Sequence, residues 1–365
     1  MANSSYQIAT SPKLFISWPL YEYAQGVTNV SLYDYNFEDY NDEFDYNSNI
    51  IKTLHLDPSK WVDLNINSND NTEAHWRYKG FRDSNDDWWN FDFFGVLNHN
   101  FNYGNVSVRL ESSDSLGENI TELTTSNIVN HNPAGYPEYD GWSLMSINDF
   151  PSDSSQVDLD IYFTKTEDAY NTAADLGSIF WGKSYEFPQN TELNTSVKFS
   201  YGINQQKTIS GKTLSSADWY KTNAWANGQI EPFGLSHYGT NAQDSGVAWD
   251  RKTGIRTWTM EFTSLAPDKV MPQNMMMNDN NYTLQDNHEE GAVDGSSKYN
   301  IKNSPDFYSR VVRPLMSNHL PCVLQIDKND NSPSGFAIVR LNRDFVIKQV
   351  SSNLYSIKCS FTEQI

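Results

Sequence analysis

An all-β chain is what this sequence predicts: a jelly-roll β-sandwich domain, a second antiparallel β domain, and few short helices. Three observations carry that expectation. Aromatic residues make up 14% of the 365 residues, a bias toward side chains that fit a pleated, half-buried surface. Short runs alternate apolar and polar residues, as at Val106/Val108/Leu110, Val157/Leu159/Ile161/Phe163 and Tyr355/Ile357/Cys359/Phe361, which is the period of a strand with one dry face. No stretch rich in Leu, Ala, Glu and Lys sustains the 3.6-residue period of a long helix.

Residues 11–20 open as an edge strand, with Pro12 and Pro19 where no ladder donor is needed. Residues 33–46 follow as an acidic, aromatic loop carrying Asp34, Glu38, Asp39, Asp42, Glu43 and Asp45. Acids scattered among Tyr and Phe predict a solvated loop; in a functional role it would dock a partner or hold Ca²⁺ through several oxygens. Strand character resumes at 54–64. Residues 88–100 hold five aromatics in the first seven positions, too many to stay wet, so a buried strand is expected. Residues 104–110 and 157–163 are half-exposed strands, and 176–188 is the strand that leaves this unit. Residues 197–201, a turn at Gly211 and the alternating 257–262 begin the next. The Asn/Asp/Gly-rich stretch 271–303 is a long loop. A short helix is expected at 304–313, with Ser304 as cap, Pro305 behind it and Pro314 as the stop. Residues 320–326 lead into three runs, 336–341, 345–350 and 354–361, read as an antiparallel meander that closes a core. The domains expected are 1–60, an N-terminal strand and acidic loop packing with the C-terminal domain; 61–190, the jelly roll; and 191–365, the C-terminal antiparallel β domain.

Charge narrows function. Asp and Glu number 46 against 26 Lys and Arg, a net charge of −20. Nothing supplies the clustered cations that displace counterions from nucleic acid, so sequence-specific nucleic-acid binding is not expected. No charged-then-apolar leader and no apolar run near eighteen residues is visible, so export by a signal peptide and membrane insertion are not expected either. Cys322 and Cys359 sit in apolar runs and read as buried reduced thiols. HExxH, GxSxG and P-loop patterns are missing. Asp327, Asn329 and Asn331 imitate the start of an EF-hand, but Ser332 and Ile338 stand where Gly and Glu are needed, so this is a turn. Among 46 acids a pair spaced for glycoside hydrolysis arises by chance. No catalytic residue, metal site or cofactor is expected.

His99, between Asn98 and Asn100, invites a catalytic reading, yet no nucleophile lies near it in sequence; a ring satisfying a loop carbonyl is the simpler expectation. If the jelly roll binds a glycan or a neighbouring subunit, Trp76, Trp88, His99 and Asn100 are the residues that would make contact. Such aromatics serve equally as core.

Several segments together resemble structural tail proteins of tailed bacteriophages, of the distal-tail or tail-tip kind. They are Ser11-Pro-Lys-Leu-Phe-Ile-Ser17, Phe94-Gly-Val-Leu-Asn-His-Asn100, Leu176-Gly-Ser-Ile-Phe-Trp-Gly182 with Glu186-Phe-Pro188, and Leu320-Pro-Cys-Val-Leu-Gln-Ile-Asp327 running into Phe336-Ala-Ile-Val-Arg-Leu341. The resemblance implies a non-enzymatic virion protein, made in the host cytoplasm. It implies a galactose-binding-like jelly roll around His99 and a C-terminal β domain of tail-tube or distal-tail type. Copies would form a ring or adaptor at the tail tip or baseplate, with other copies and neighbouring tail proteins as partners. The alternatives are a carbohydrate-binding host-attachment protein contacting a surface glycan and a glycan-degrading tail enzyme.

Overall fold

The computed structural model describes residues 10–24, 31–35, 44–46, 51–56, 62–66, 73–79, 91–101, 105–114, 120–129, 141–149, 156–165, 174–193, 195–217, 255–271, 305–331, 335–343 and 345–364. Strands dominate, and every ladder among them is antiparallel. The fold is all-β and sandwich-like. An outer sheet runs Phe44–Tyr46, Ser31–Tyr35, Glu73–Lys79, Gln156–Lys165, Val106–Asp114, Thr121–Glu122. A central sheet runs Ser178–Gly182, Phe93–His99, Gly141–Asp149, Thr124–Val129. A large sheet runs Ser184–Glu186, Lys13–Phe15, Cys322–Gln325, Phe336–Leu341, Leu354–Glu363, Ile255–Leu265, Ser196–Ser200, with Val346–Ser351 also paired to Leu354–Glu363.

Two neighbouring strands of the central sheet are dry on both faces: Phe93–His99 and Ser178–Gly182 are buried at every position, while the edge strand Thr124–Val129 is mostly wet. Alternation divides the sheet's side chains between two cores. Phe94, Val96, Met145, Ile147, Ile179 and Trp181 point toward Trp76, Leu110, Leu159, Ile161 and Phe163 of the outer sheet. Phe93, Leu97, Trp142, Leu144 and Phe180 point the other way, toward Phe15, Leu324, Phe336 and Ile338 of the large sheet. The second junction is aromatic: Phe15 meets Phe93 edge-on at 5.1 Å and Trp142 meets Phe336 at 4.9 Å. Gly95 stands in register with both Leu144 and Phe180. A Cβ there would lie 2.3 Å from the Phe180 ring, so only glycine admits that ring.

The large sheet is strongly curled. Strand Ile255–Leu265 stands four places along from Lys13–Phe15, about 19 Å away if the sheet were flat. Yet Phe187, whose N–H donates to the Pro12 carbonyl at 3.1 Å, stacks its ring on Phe262 at 4.2 Å. Residues 187–192 therefore strap the curl shut, with Thr191 N–H on the Thr10 carbonyl and Glu192 N–H on the Glu261 carbonyl. Inside it packs a short helical turn, Tyr308–Val312, contributing Phe307, Val311, Val312 and, just beyond, Leu315.

Several local expectations change. Only Lys13–Phe15 of the first stretch is a strand, and it is interior, paired on both sides. The chain then turns into a helix, Trp18–Ala24, where Pro19 occupies the first turn and the Ser17 hydroxyl accepts from Leu20 N–H at 3.4 Å. Residues 52–55 form a 3-10 turn rather than strand, and among the described residues of that stretch Val62–Asp63 is extended. The helix near 304–313 is capped by Asp306, whose carboxylate accepts from Ser309 N–H at 2.8 Å. The terminal runs are not a simple meander. Phe336–Leu341 and Val346–Ser351 both pair with the ten-residue strand Leu354–Glu363, which is long enough to hold one at each end. The acidic stretch is not all loop, since Ser31–Tyr35 and Phe44–Tyr46 form a hairpin. That hairpin joins the outer sheet, whereas Lys13–Phe15 joins the large one, so residues 1–60 serve both halves. The 271–303 loop falls outside the described residues beyond Met271.

Candidate functional site

Three of the residues singled out from sequence are interior groups with structural work. Trp76 is 1% exposed and meets Phe163 edge-on at 5.0 Å, so its ring offers no face to a sugar. The expectation of a glycan contact there is corrected, because position 76 faces the inner side of the outer sheet. His99 is fully buried and stacked on Phe101 at 4.5 Å. Its Nδ1 accepts from Phe101 N–H at 3.3 Å, so in the neutral ring Nε2 carries the proton and donates to Ser143 Oγ at 2.9 Å. Asn100, 1% exposed, latches the ribbon of Val62–Asp63 and Asp175–Leu176: its Oδ1 accepts from Asp175 N–H at 2.9 Å and its N–H donates to the Asp175 carbonyl at 3.3 Å. Among the described residues the ring of His99 bonds a hydroxyl and a backbone amide. Neither His99 nor Asn100 reaches the surface, so their expected role in glycan or subunit contact is corrected too. Trp88, Glu38, Asp39, Asp42 and Glu43 lie outside the described residues. Asp34 and Asp45 are placed by their backbone, opposite one another in register.

The sequence reading missed a charged knot on the outer face of the outer sheet. Asp160 accepts from His75 Nε2 at 2.7 Å, from Arg77 Nε at 2.6 Å and from the Ser113 hydroxyl. Its side chain is fully buried. Burial alone would raise this carboxyl; hydrogen bonds from His75, Arg77 and Ser113, with the Arg77 charge, hold it below its ordinary value. Tyr162 stacks on His75 at 4.1 Å and carries the Arg109 guanidinium 4.2 Å above its ring. Burial first, then the Asp160 charge, push the Tyr162 phenol up to about 12. Ser113 and His75 both bond the same carboxylate. That is a structural knot, unlike a nucleophile passing its proton to a histidine held by an acid. The signal for it was the polar half of each alternating strand: Asp158 and Asp160 between Leu159, Ile161 and Phe163, with His75 and Arg77 flanking Trp76.

Among the described residues no group of three or more His, Cys, Asp or Glu could hold a metal ion. Both cysteines are free and buried, and burial pushes both thiols up, which makes them poor nucleophiles.

The feature that does face solvent is an edge. Strand Ser196–Ser200 ends the large sheet, paired among described residues only with Ile255–Leu265. Val197 stands opposite Trp258, which is 2% exposed, yet Val197 is 45% and Phe199 52% exposed. The strand carries the sheet's apolar side past the end of its core. From it, through Tyr201 and Gly202, leaves a two-stranded ribbon, Ile203–Lys207 with Thr213–Ala217. Gly211, with φ of +83°, closes its turn, where Thr208 N–H donates to the Lys212 carbonyl at 2.8 Å. Ile203, Ile209 and Leu214 are all exposed. Ile203 is in register with Ala217, and Leu214 with Gln206, so the two lie on opposite faces and the ribbon cannot hide both. Val346, Val350 and Leu354 add exposed apolar residues elsewhere on the large sheet.

What fold and surface define is an all-β, layered protein with exposed apolar groups along a sheet edge and an arm, among others. Comparison with known proteins finds no matching family model, no matching curated protein and no matching solved structure.

Proposed function

We propose that this chain is a non-enzymatic structural subunit of a bacteriophage tail, assembling with copies of itself and neighbouring tail proteins as a ring or adaptor at the tail tip or baseplate. One observation carries the self-assembly: the strand Ser196–Ser200 presents Val197 and Phe199 on a sheet edge paired on one side only among the described residues, continued by an exposed ribbon. An exposed edge carrying apolar residues is an aggregation hazard in a free monomer, and closure against identical copies is the common way to cover one. The tail setting rests on the resemblance of the segments around Phe15, Gly95, Phe180 and Val323 to phage tail proteins. Their packing into one core spanning the central and large sheets supports reading them as one unit. The glycan-binding alternative loses support with Trp76, His99 and Asn100 buried. Light scattering of the purified protein and immunogold labelling of virions test the proposal. A strictly monomeric protein absent from particles would end it.

A further inference from the structure

The far end of the arm combines two properties that its edge strand does not explain. Between Glu192 and Asp218 lie Lys198, Lys207 and Lys212 and no acid, in a protein of net charge −20. Two of these lysines, Lys207 and Lys212, flank the turn of the ribbon, and between them Ile209 is fully exposed. Leu214, one pair below the turn, is exposed as well. Exposed turns favour Gly, Asn, Asp and Ser; a fully wet isoleucine at the apex gains nothing from the fold. The turn around it keeps its own polar groups bonded to one another. Thr208 N–H donates to the Lys212 carbonyl at 2.8 Å and Gly211 N–H to the Thr208 carbonyl at 2.9 Å. The Thr208 hydroxyl accepts from Lys212 N–H at 3.1 Å, donates to the Lys212 carbonyl at 3.1 Å and lies 3.0 Å from the Ser210 hydroxyl. An apolar side chain between two cations, on a turn whose polar groups are already paired, is cheap to take out of water.

We propose that the ribbon apex, Lys207–Lys212 with Leu214 behind it, seats on the surface of an anionic phospholipid bilayer. Ile209 and Leu214 enter the headgroup boundary, and Lys207 and Lys212 stay with the lipid phosphates while their aliphatic stems cover apolar surface. The ribbon has open edges, whose N–H and C=O groups cannot leave water for hydrocarbon, so the contact stops at the interface. It needs no apolar span, and among the described residues no helix is long and apolar enough to cross a membrane. The acidic body does not forbid the approach. Strand Ile203–Lys207 is exposed at every position and is about 17 Å long, twice the roughly 8 Å over which charges are felt at physiological salt. One apex offers less apolar area than a single acyl chain, which by itself binds only marginally and reversibly. Several apices on one assembly hold together, so in strength this contact rests on the self-assembling reading above.

The test is co-sedimentation with vesicles of mixed phosphatidylglycerol and phosphatidylcholine, against vesicles of phosphatidylcholine alone, at about 0.05 M and about 0.5 M salt. Light scattering of the same samples without lipid reads self-association. The unaltered chain binds the anionic vesicles and not the zwitterionic ones. Ile209→Ser weakens binding by about tenfold. K207Q/K212Q weakens it by about 25-fold at low salt, roughly fivefold per lysine, and by much less at high salt. Neither variant changes self-association, since the apex is remote from the edge strand Ser196–Ser200. Both native cysteines are buried, so a polarity-sensitive dye on Ile209→Cys reports the apex, and its emission shifts blue only with anionic vesicles. An assembled chain that ignores anionic vesicles, or whose binding is unmoved by Ile209→Ser, overturns the lipid contact and leaves the self-assembly reading intact. So do apex variants that lose self-association instead, which would make the apex a protein contact, and uptake of polyphosphate without uptake of vesicles. A monomeric chain that binds the vesicles keeps the lipid contact and ends the self-assembly reading; a monomeric chain that does not bind them overturns both. All substitutions are at exposed positions, and circular dichroism checks that each variant folds.

Discussion

At the scale of single residues, side chains and glycines fix the three layers more than any surface group does. Gly182 shows it. A Cβ at this position would sit 2.1 Å from the Ile16 carbonyl oxygen, so Gly182→Ala must push backbone apart. We expect a loss of about 1–3 kcal/mol, typical of overpacking, read as a lower denaturation midpoint; an unchanged midpoint would refute the close approach. Tyr185 makes the opposite prediction. Its hydroxyl is buried with no hydrogen-bond partner among the described residues, and burial, then the Asp306 charge, push the phenol up. Removing an unsatisfied buried hydroxyl is neutral or favourable, so Tyr185→Phe should melt at the same temperature or a few degrees higher. A clear drop would mean that the hydroxyl has a partner. Asp160 ties stability to pH. Its folded carboxyl is held low, so its contribution is fully present above the unfolded value of about 3.9 and is lost as pH falls through the folded value. Asp160→Asn removes the charge of the buried carboxylate that His75 and Arg77 share and should cost about 3 kcal/mol or more at neutral pH. The variant should also show a shallower fall in stability between about pH 5 and pH 2. Equal acid slopes in the two proteins would rule out that linkage.

Elements show where pattern reading succeeds and where it fails. The alternation of Tyr355, Ile357, Cys359 and Phe361 was legible, and all four are buried, because period two is local geometry. The aromatic-rich stretch 88–100 was legible as a buried strand because so many aromatics cannot stay wet, and Phe93–His99 is buried throughout. The partner of a strand was not. Nothing local told Lys13–Phe15 that it would be interior, or Phe336–Leu341 that it would reach Leu354–Glu363 directly, since register between distant strands is settled by packing across the sheet. The arm was half legible: Gly211 marked its turn, but that Val197 and Phe199 overhang the core depends on where the core ends. Truncating the overhang tests it. Val197→Ser with Phe199→Ser should change stability by less than about 1 kcal/mol, as for exposed positions, while weakening self-association. A large loss of stability would place both residues in the core.

For the whole molecule, the central sheet decides cooperativity. Its two faces serve two cores: Leu144 and Phe180 on one side are followed directly by Met145 and Trp181 on the other. Outer and large sheets therefore share a wall, and unfolding should appear as one calorimetric transition whose midpoint falls for lesions in either core. Trp142→Ala should cost about 3–5 kcal/mol and lower the whole transition; two resolved transitions in the unaltered protein would contradict the shared wall. By itself the sequence determined the β class, most strands and the buried thiols, because composition and period act over a few neighbouring residues. Only the tertiary structure decided that three sheets stack with a common middle layer, that Trp76, His99 and Asn100 are interior, that Asp160 gathers His75, Arg77 and Ser113, and that an apolar edge is left in water. Each of these depends on which faces meet across long chain separations, and that is set by packing the whole set of strands at once.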